Sequence, residues 1–113
     1  MIHLSWPDKV LNPNWTGHWS KKAKAVKAAR LAAWVATKES FDKVTDSDKP
    51  IYLHIYFFPP DKRRRDSTNM LASCKAIFDG IADGLGVNDI RFLVTYEVCK
   101  PTKLGRVSII ITE

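Results

Sequence analysis

Hydrophobic and polar residues alternate most regularly over Ile51-Tyr52-Leu53-His54-Ile55-Tyr56-Phe57-Phe58, which predicts a strand. Ile51, Leu53, Ile55 and Phe57 fall on one face and Tyr52, His54, Tyr56 and Phe58 on the other. Both faces are largely apolar, which suits a central strand or one covered by a second subunit. His54, flanked by tyrosines, reads as a hydrogen-bonded sheet residue rather than a catalyst. Phe92, Val94, Tyr96 and Val98 alternate in the same way, and Lys100 to Gly105 reads as a hairpin loop leading to a last strand at Val107 to Thr112. Ile2 to Trp6 is a short first strand ended by Pro7. The stretch through Asn12-Pro13-Asn14-Trp15 carries too many turn formers to be regular.

Two segments have helical spacing instead. Met70, Cys74, Ile77, Phe78, Ile81 and Leu85 predict a helix that begins near Thr68 and ends at Gly84 and Gly86, with a turn at Asn88-Asp89 beyond it. Earlier, Ser20 is the expected N-cap of an Ala-rich and Lys-rich helix. Ala23, Val26, Ala33 and Trp34 are its expected packing face, with Lys21, Lys24, Lys27 and Arg30 on the wetter side. Those lysines can lie along a phosphate backbone, or simply keep an Ala-rich helix in solution. Asp46-Ser47-Asp48-Lys49-Pro50 is a breaker cluster between this helix and the octet. The order of elements predicts an α/β (α+β) sandwich: one domain over 1–113, a small mixed sheet of about four strands, and two main helices on at least one face.

Composition sets the partners. Eighteen Lys and Arg against twelve Asp and Glu give 113 residues a formal charge of +6, which favours an anionic partner but does not distinguish DNA, RNA and acidic lipid. The N-terminus has no signal-peptide pattern and no run approaches a membrane span, so no membrane partner and a cytoplasmic location are expected. Cys74 and Cys99 lack CxxC spacing and nearby histidines, which argues against zinc; both read as reduced, with Cys74 in a core.

The strongest chemical signal is the run Lys62-Arg63-Arg64-Arg65, ending directly in Asp66 and followed by Ser67-Thr68-Asn69. Four adjacent like charges repel and add nothing to a core, so a fold keeps them where a polyanion neutralises them. A carboxylate at the end of such a run is a candidate metal ligand beside a bound phosphate, or else only the cap of the next helix. Asp89 lies beyond that helix, about 25 Å away if the helix is straight, so the two acids meet only if the chain folds back. If they meet, a hard divalent cation such as magnesium or manganese would bridge them. Such a metal can orient water for attack on a phosphodiester.

In order along the C-terminal half, Pro60-Asp61-Lys62-Arg63-Arg64-Arg65-Asp66, Asn69, Lys75-Ala76-Ile77-Phe78-Asp79, Gly84, Asn88-Asp89, Gly105-Arg106 and Ile111-Thr112-Glu113 resemble the RusA family of Holliday-junction resolvases. Trp6-Pro7, Asn14 and His18-Trp19 are similar to the openings of phage and bacterial members, less specifically. The resemblance implies a magnesium-dependent endonuclease, with manganese as a possible substitute. It would act as a homodimer that nicks two opposed strands of branched DNA in a bacterial or phage-infected cell, with no small-molecule substrate. It also implies that Asp66 and Asp89 are the metal-binding acids and Lys75 the catalytic lysine. Lys62, Arg63, Arg64, Arg65 and Asn69, with Lys21, Lys24 and Lys27 on the first helix, are the expected DNA contacts.

The chain departs from the family pattern in two places. Three extra residues separate Asn69 from Lys75 relative to the shortest members, and the lysine can equally serve as a surface partner for Asp79 four residues on. Thr68 stands where the family has a second acid, which removes a full negative charge from the implied metal site. Asp79 and Asp83 are the candidates to compensate. The alternative is a non-catalytic junction-binding protein of the same fold. A basic RNA-binding domain is a third reading, without a recognisable aromatic RNA-binding motif.

Overall fold

The octet Ile51–Phe58 forms a strand, β2, that is paired along both edges. The computed structural model describes residues 1–41 and 48–113, so Asp46 and Ser47 of the breaker cluster lie outside the described residues. The other elements are β1 (Ile2–Ser5), α1 (Trp19–Ser40), α2 (Ser67–Ala72), α3 (Lys75–Leu85), β3 (Phe92–Val98) and β4 (Arg106–Thr112). Single 3-10 turns occupy Lys9–Leu11 and Asp89–Arg91. The result is the expected mixed α+β sandwich, with strand order β1-β4-β2-β3.

The loop at Lys100 to Gly105 does not close a hairpin. β4 runs antiparallel to both β2 and β1, whereas β3 is parallel to β2 on its other edge. The reason is burial: Val107, Ile109 and Ile111 are apolar enough to sit between two strands, and they complete the buried face begun by Ile51, Leu53, Ile55 and Phe57. β3, with Leu93, Val94, Tyr96 and Val98 all exposed, takes the edge.

That buried face packs on Ala33 of α1 and on Cys74, Ile77, Ile81 and Leu85 of the α2–α3 segment, while Met70 closes one end. Each fully buried aliphatic or aromatic side chain contributes about 1.5–3 kcal/mol. The opposite face of β2 stays open, with Tyr52 exposed and His54 tied to Thr95 and Glu97 on β3, as a sheet histidine should be.

The helices differ from their expected bounds for local reasons. His18, not Ser20, caps α1; its ring nitrogen accepts the Ser20 N–H at 3.2 Å. Ala23, Val26 and Trp34 are exposed, and the covered stripe is instead Ala25, Ala29, Ala33 and Thr37. This stripe is set by the partner. A Cβ at Gly80 would run into the Arg30 carbonyl oxygen, and one at Gly84 would lie 2.8 Å from the Thr37 methyl, so only small residues fit along this seam. Gly84 therefore lies inside α3, and Gly86, in the left-handed region, ends it. Arg30 is exposed, as expected, and also pairs with Asp83 across the seam at 2.6 Å.

The single helix expected from Thr68 breaks at Ser73-Cys74. The Ser73 hydroxyl donates to the Asn69 carbonyl at 2.8 Å, and the Cys74 N–H tightens onto Leu71 at 3.0 Å. Cys74 is fully buried there, and burial pushes its thiol up to about 12. It is a packing residue, not a reactive thiol.

Candidate nucleic-acid interface

Pro59-Pro60 ends β2, and the Pro59 carbonyl is fastened to the far loop by the Thr102 N–H at 2.9 Å. The basic run that follows is not four equivalent cations. Arg65 folds back: its guanidinium reaches Asp61 at 2.9 Å, donates to the Arg63 carbonyl, and lies 5.5 Å from the centre of the Trp6 ring. Only 15% of its side chain is exposed. The Arg63 N–H and the Arg65 guanidinium hold the Asp61 carboxyl below its usual range. Arg65 is thus the strut of the loop. Lys62, Arg63 and Arg64 are exposed and have no ion-pair partner among the described residues.

Asp66 ends this loop and caps α2 from an extended backbone conformation. Its Oδ1 does all the capping: it accepts the Thr68 N–H at 2.9 Å, the Asn69 N–H at 3.3 Å and the Thr68 hydroxyl at 2.6 Å. The Thr68 hydroxyl first, then the two N–H groups, hold the carboxyl below its usual range, so it is anionic at neutral pH. Oδ2 accepts no hydrogen bond among the described residues. Thr68 is therefore a hydrogen-bond donor to Asp66 through both its N–H and its hydroxyl.

A groove of about 550 Å³ opens beside this cap. The basic loop, Asp66 and Asn69 line it together with the N-terminal segment, which contributes Trp6, Asp8, Asn14 and Trp15. The sequence singled out Trp6-Pro7 and Asn14 by resemblance alone and read Asn12 to Trp15 as turn formers, without a place for either in a groove. Asp8 uses its Oδ1 to cap the first 3-10 turn through the Val10 N–H at 3.0 Å.

Lys75 and Asp89 come together elsewhere. The chain folds back after Gly86, and Asn88 caps the 3-10 turn that presents Asp89. Lys75 Nζ lies 2.8 Å from Asp79 and 2.7 Å from Asp89, so its ammonium bridges two carboxylates. Asp79 first and then Asp89 raise the Lys75 pKa, and Lys75 in turn lowers that of Asp89. Asp79, which the sequence offered both as a helix-surface partner of Lys75 and as a candidate to compensate for Thr68, is found in the first of those places. Asp83 is taken by Arg30.

Asp66 shares no hydrogen bond with Asp89 or Lys75, and neither of those lines the groove. Among the described residues no three His, Cys, Asp or Glu side chains converge as a metal cage. Lys21, Lys24 and Lys27 are exposed on α1 and also lie outside the groove lining. No helix among the described residues is long and apolar enough to cross a membrane.

Fold and site together define a small α+β sandwich with a basic, carboxylate-edged groove. No family model matches the sequence. A protein of Xylella fastidiosa (strain Temecula1 / ATCC 700964), described as an uncharacterized protein, is 41% identical over 94 residues. The match covers 81% of this chain and 61% of that protein, so the chain spans less than two thirds of its relative's length.

Proposed function

We propose that the protein is a magnesium-dependent endonuclease that acts on branched DNA as a homodimer. The observation that carries this reading is Asp66: an anionic carboxylate with one oxygen uncommitted, in a groove that is also lined by Arg63 and Arg64, which have no ion-pair partner among the described residues. Hard carboxylate oxygen suits magnesium, which commonly keeps several waters and takes only one or two protein carboxylates beside a substrate phosphate. Asp66 Oδ2 fits that role as it stands. Asp89 gives its Oδ2 to Lys75.

When bound, magnesium would neutralise charge on the phosphate and lower the pKa of a bound water. The chain's own residues supply the rest. Lys62, Arg63 and Arg64 hold the DNA backbone. Asn69 lines the same groove and can orient a ligand or water. Lys75, held between Asp79 and Asp89 and outside the groove lining, stays protonated and is not a general base; it would meet the phosphate only by exchanging one of those carboxylates for it. Shape dominates recognition, since these contacts are directed at phosphates. A dimer would present two such sites to two opposed strands.

Two measurements test this. Nicking of a synthetic four-way junction in magnesium is the direct one, and absence of nicking in both magnesium and manganese would remove the enzymatic reading. For the interface, the double substitution Arg63→Ala, Arg64→Ala is expected to reduce the slope of log affinity against log salt by about 2. An unchanged slope would take these arginines out of contact with DNA.

The second reading, a junction-binding protein without catalysis, is favoured by one specific arrangement: Thr68 donates to Asp66 where another carboxylate would add charge. Under that reading Thr68→Asp is expected to convert a binder into a nuclease. Under the first it raises cleavage at limiting magnesium by about tenfold, equivalent to ~1.4 kcal/mol of added metal affinity. Titrating magnesium against both proteins separates the two.

A further inference from the structure

The groove has features that cation binding to a duplex backbone does not require. It is concave, it lies within the 300–1,000 Å³ range of small-ligand sites, and an indole forms part of its lining. Two tryptophans line it, but they are not equivalent. Trp6 is occupied by the Arg65 guanidinium and by an edge contact with Phe57 at 5.9 Å. Trp15 has no cation or aromatic ring partner among the described residues. Its six-membered ring lies over Gly17, where a Cβ would fall 2.4 Å from the indole carbon Cζ2. Gly17 is thus a seat that fixes the ring while leaving it half-buried at the groove. Beside it Asn12 Oδ1 is used by the Asn14 N–H at 2.8 Å, while the Asn14 side-chain amide has no partner among the described residues.

We infer that this groove is a pocket for one unpaired nucleotide of DNA, with its base stacked on Trp15 and its phosphate held by Arg63 and Arg64. The charge distribution sets this orientation. Asp8 and Asp66 also line the groove, so a phosphate is repelled from their oxygens and drawn to the arginine end. An aromatic platform accepts any base through its π-face, and an unpartnered amide can meet a base edge. A base that is already unpaired costs least to bring into such a pocket, and one at a branch point, where stacking is interrupted, costs less than one inside continuous duplex, so the pocket favours branched over continuous DNA without reading sequence. The inference rests on the DNA-binding reading above and adds the element that discriminates between DNA forms.

The test uses the full chain in EDTA, with fluorescence anisotropy of a labelled ten-nucleotide oligothymidylate and of a duplex of the same length. Wild type is expected to bind the single strand more tightly than the duplex. Trp15→Ala is expected to reduce the ratio of single-strand to duplex affinity by about 10- to 100-fold, and Trp15→Phe by no more than about 3-fold. Gly17→Ala, which unseats the ring without removing it, is expected to fall between them. Retained duplex affinity shows that each variant is folded. An unchanged ratio in Trp15→Ala overturns the pocket while leaving backbone binding by Arg63 and Arg64 in place. Failure of wild type to bind either DNA overturns both.

Discussion

Asp66→Asn is expected to lower junction cleavage by about 10³-fold while leaving the fold unchanged. The separation is possible because Asp66 does two jobs with two oxygens. Oδ1 caps α2 through three hydrogen bonds, and Asn and Asp are about equally good N-caps, so the amide oxygen can accept the same three donors. What the substitution removes is the negative charge at Oδ2. A metal contributes several kcal/mol of charge stabilisation to phosphodiester hydrolysis, and ~4 kcal/mol corresponds to about 10³ in rate. Asp66→Ala, by contrast, removes cap and charge together and is expected to lower stability as well as cleavage. The pH dependence gives a second check. Because hydrogen bonds hold the folded carboxyl below its ordinary value of 3.8, the charged cap contributes stability above that value and loses it as pH falls through the folded pKa. Wild type should thus lose more stability than Asp66→Asn on acidification below about pH 4, and the two should run parallel between pH 6 and 8. Full cleavage by Asp66→Asn would show that this carboxylate is only a cap.

Much of the scaffold was legible because it depends on local patterns. Period-2 alternation located β2 and sorted its residues into two faces, without deciding which is buried, and the acid after the basic run marked a helix start. The pair Lys75–Asp79 was readable from four-residue spacing alone. The misreadings share a cause, which is that the deciding partner is distant in sequence. A short loop with Gly105 looks like a hairpin, but strand order depends on which apolar strand can be buried on both edges. In an Ala-rich helix neighbouring faces differ little in hydropathy, so the buried stripe of α1 is chosen by Gly80 and Gly84, more than forty residues away. The same holds for the site. Arg65 looked like a DNA contact in the sequence and is a strut because Trp6 lies beneath it. Asp89 looked like a partner for Asp66 and instead meets Lys75, since the turn after Gly86 brings it back along α3. Nothing in the turn-rich segment Asn12 to Trp15 announced that it would line a groove with residues fifty positions further on.

Gly80→Val is expected to be the most destabilising single change on the helical layer, by ~3 kcal/mol, which lowers the melting temperature of a chain this size by about 12 °C. Helix propensity argues the other way, since any residue but proline is a better helix former than glycine, by a few tenths of a kcal/mol for valine. Packing decides the sign. The first atom added at Gly80 meets the Arg30 carbonyl oxygen, and the Ala33 methyl lies 2.8 Å from the same point. The methyl could be removed by Ala33→Gly, but the carbonyl is backbone of α1 and can move only if the whole helix moves. Moving it would open the seam over Ile77 and Ile81 and would pull Arg30 away from Asp83, an exposed and solvent-screened pair that contributes little on its own. Adding Ala33→Gly to Gly80→Val should therefore restore only a minor part of the loss. Arg30→Ala, which removes the side chain but keeps the carbonyl, should cost far less than Gly80→Val. Thermal unfolding of the four proteins checks the order. A Gly80→Val protein that melts within about 2 °C of wild type would mean that α1 and α3 are not held as closely as this seam requires.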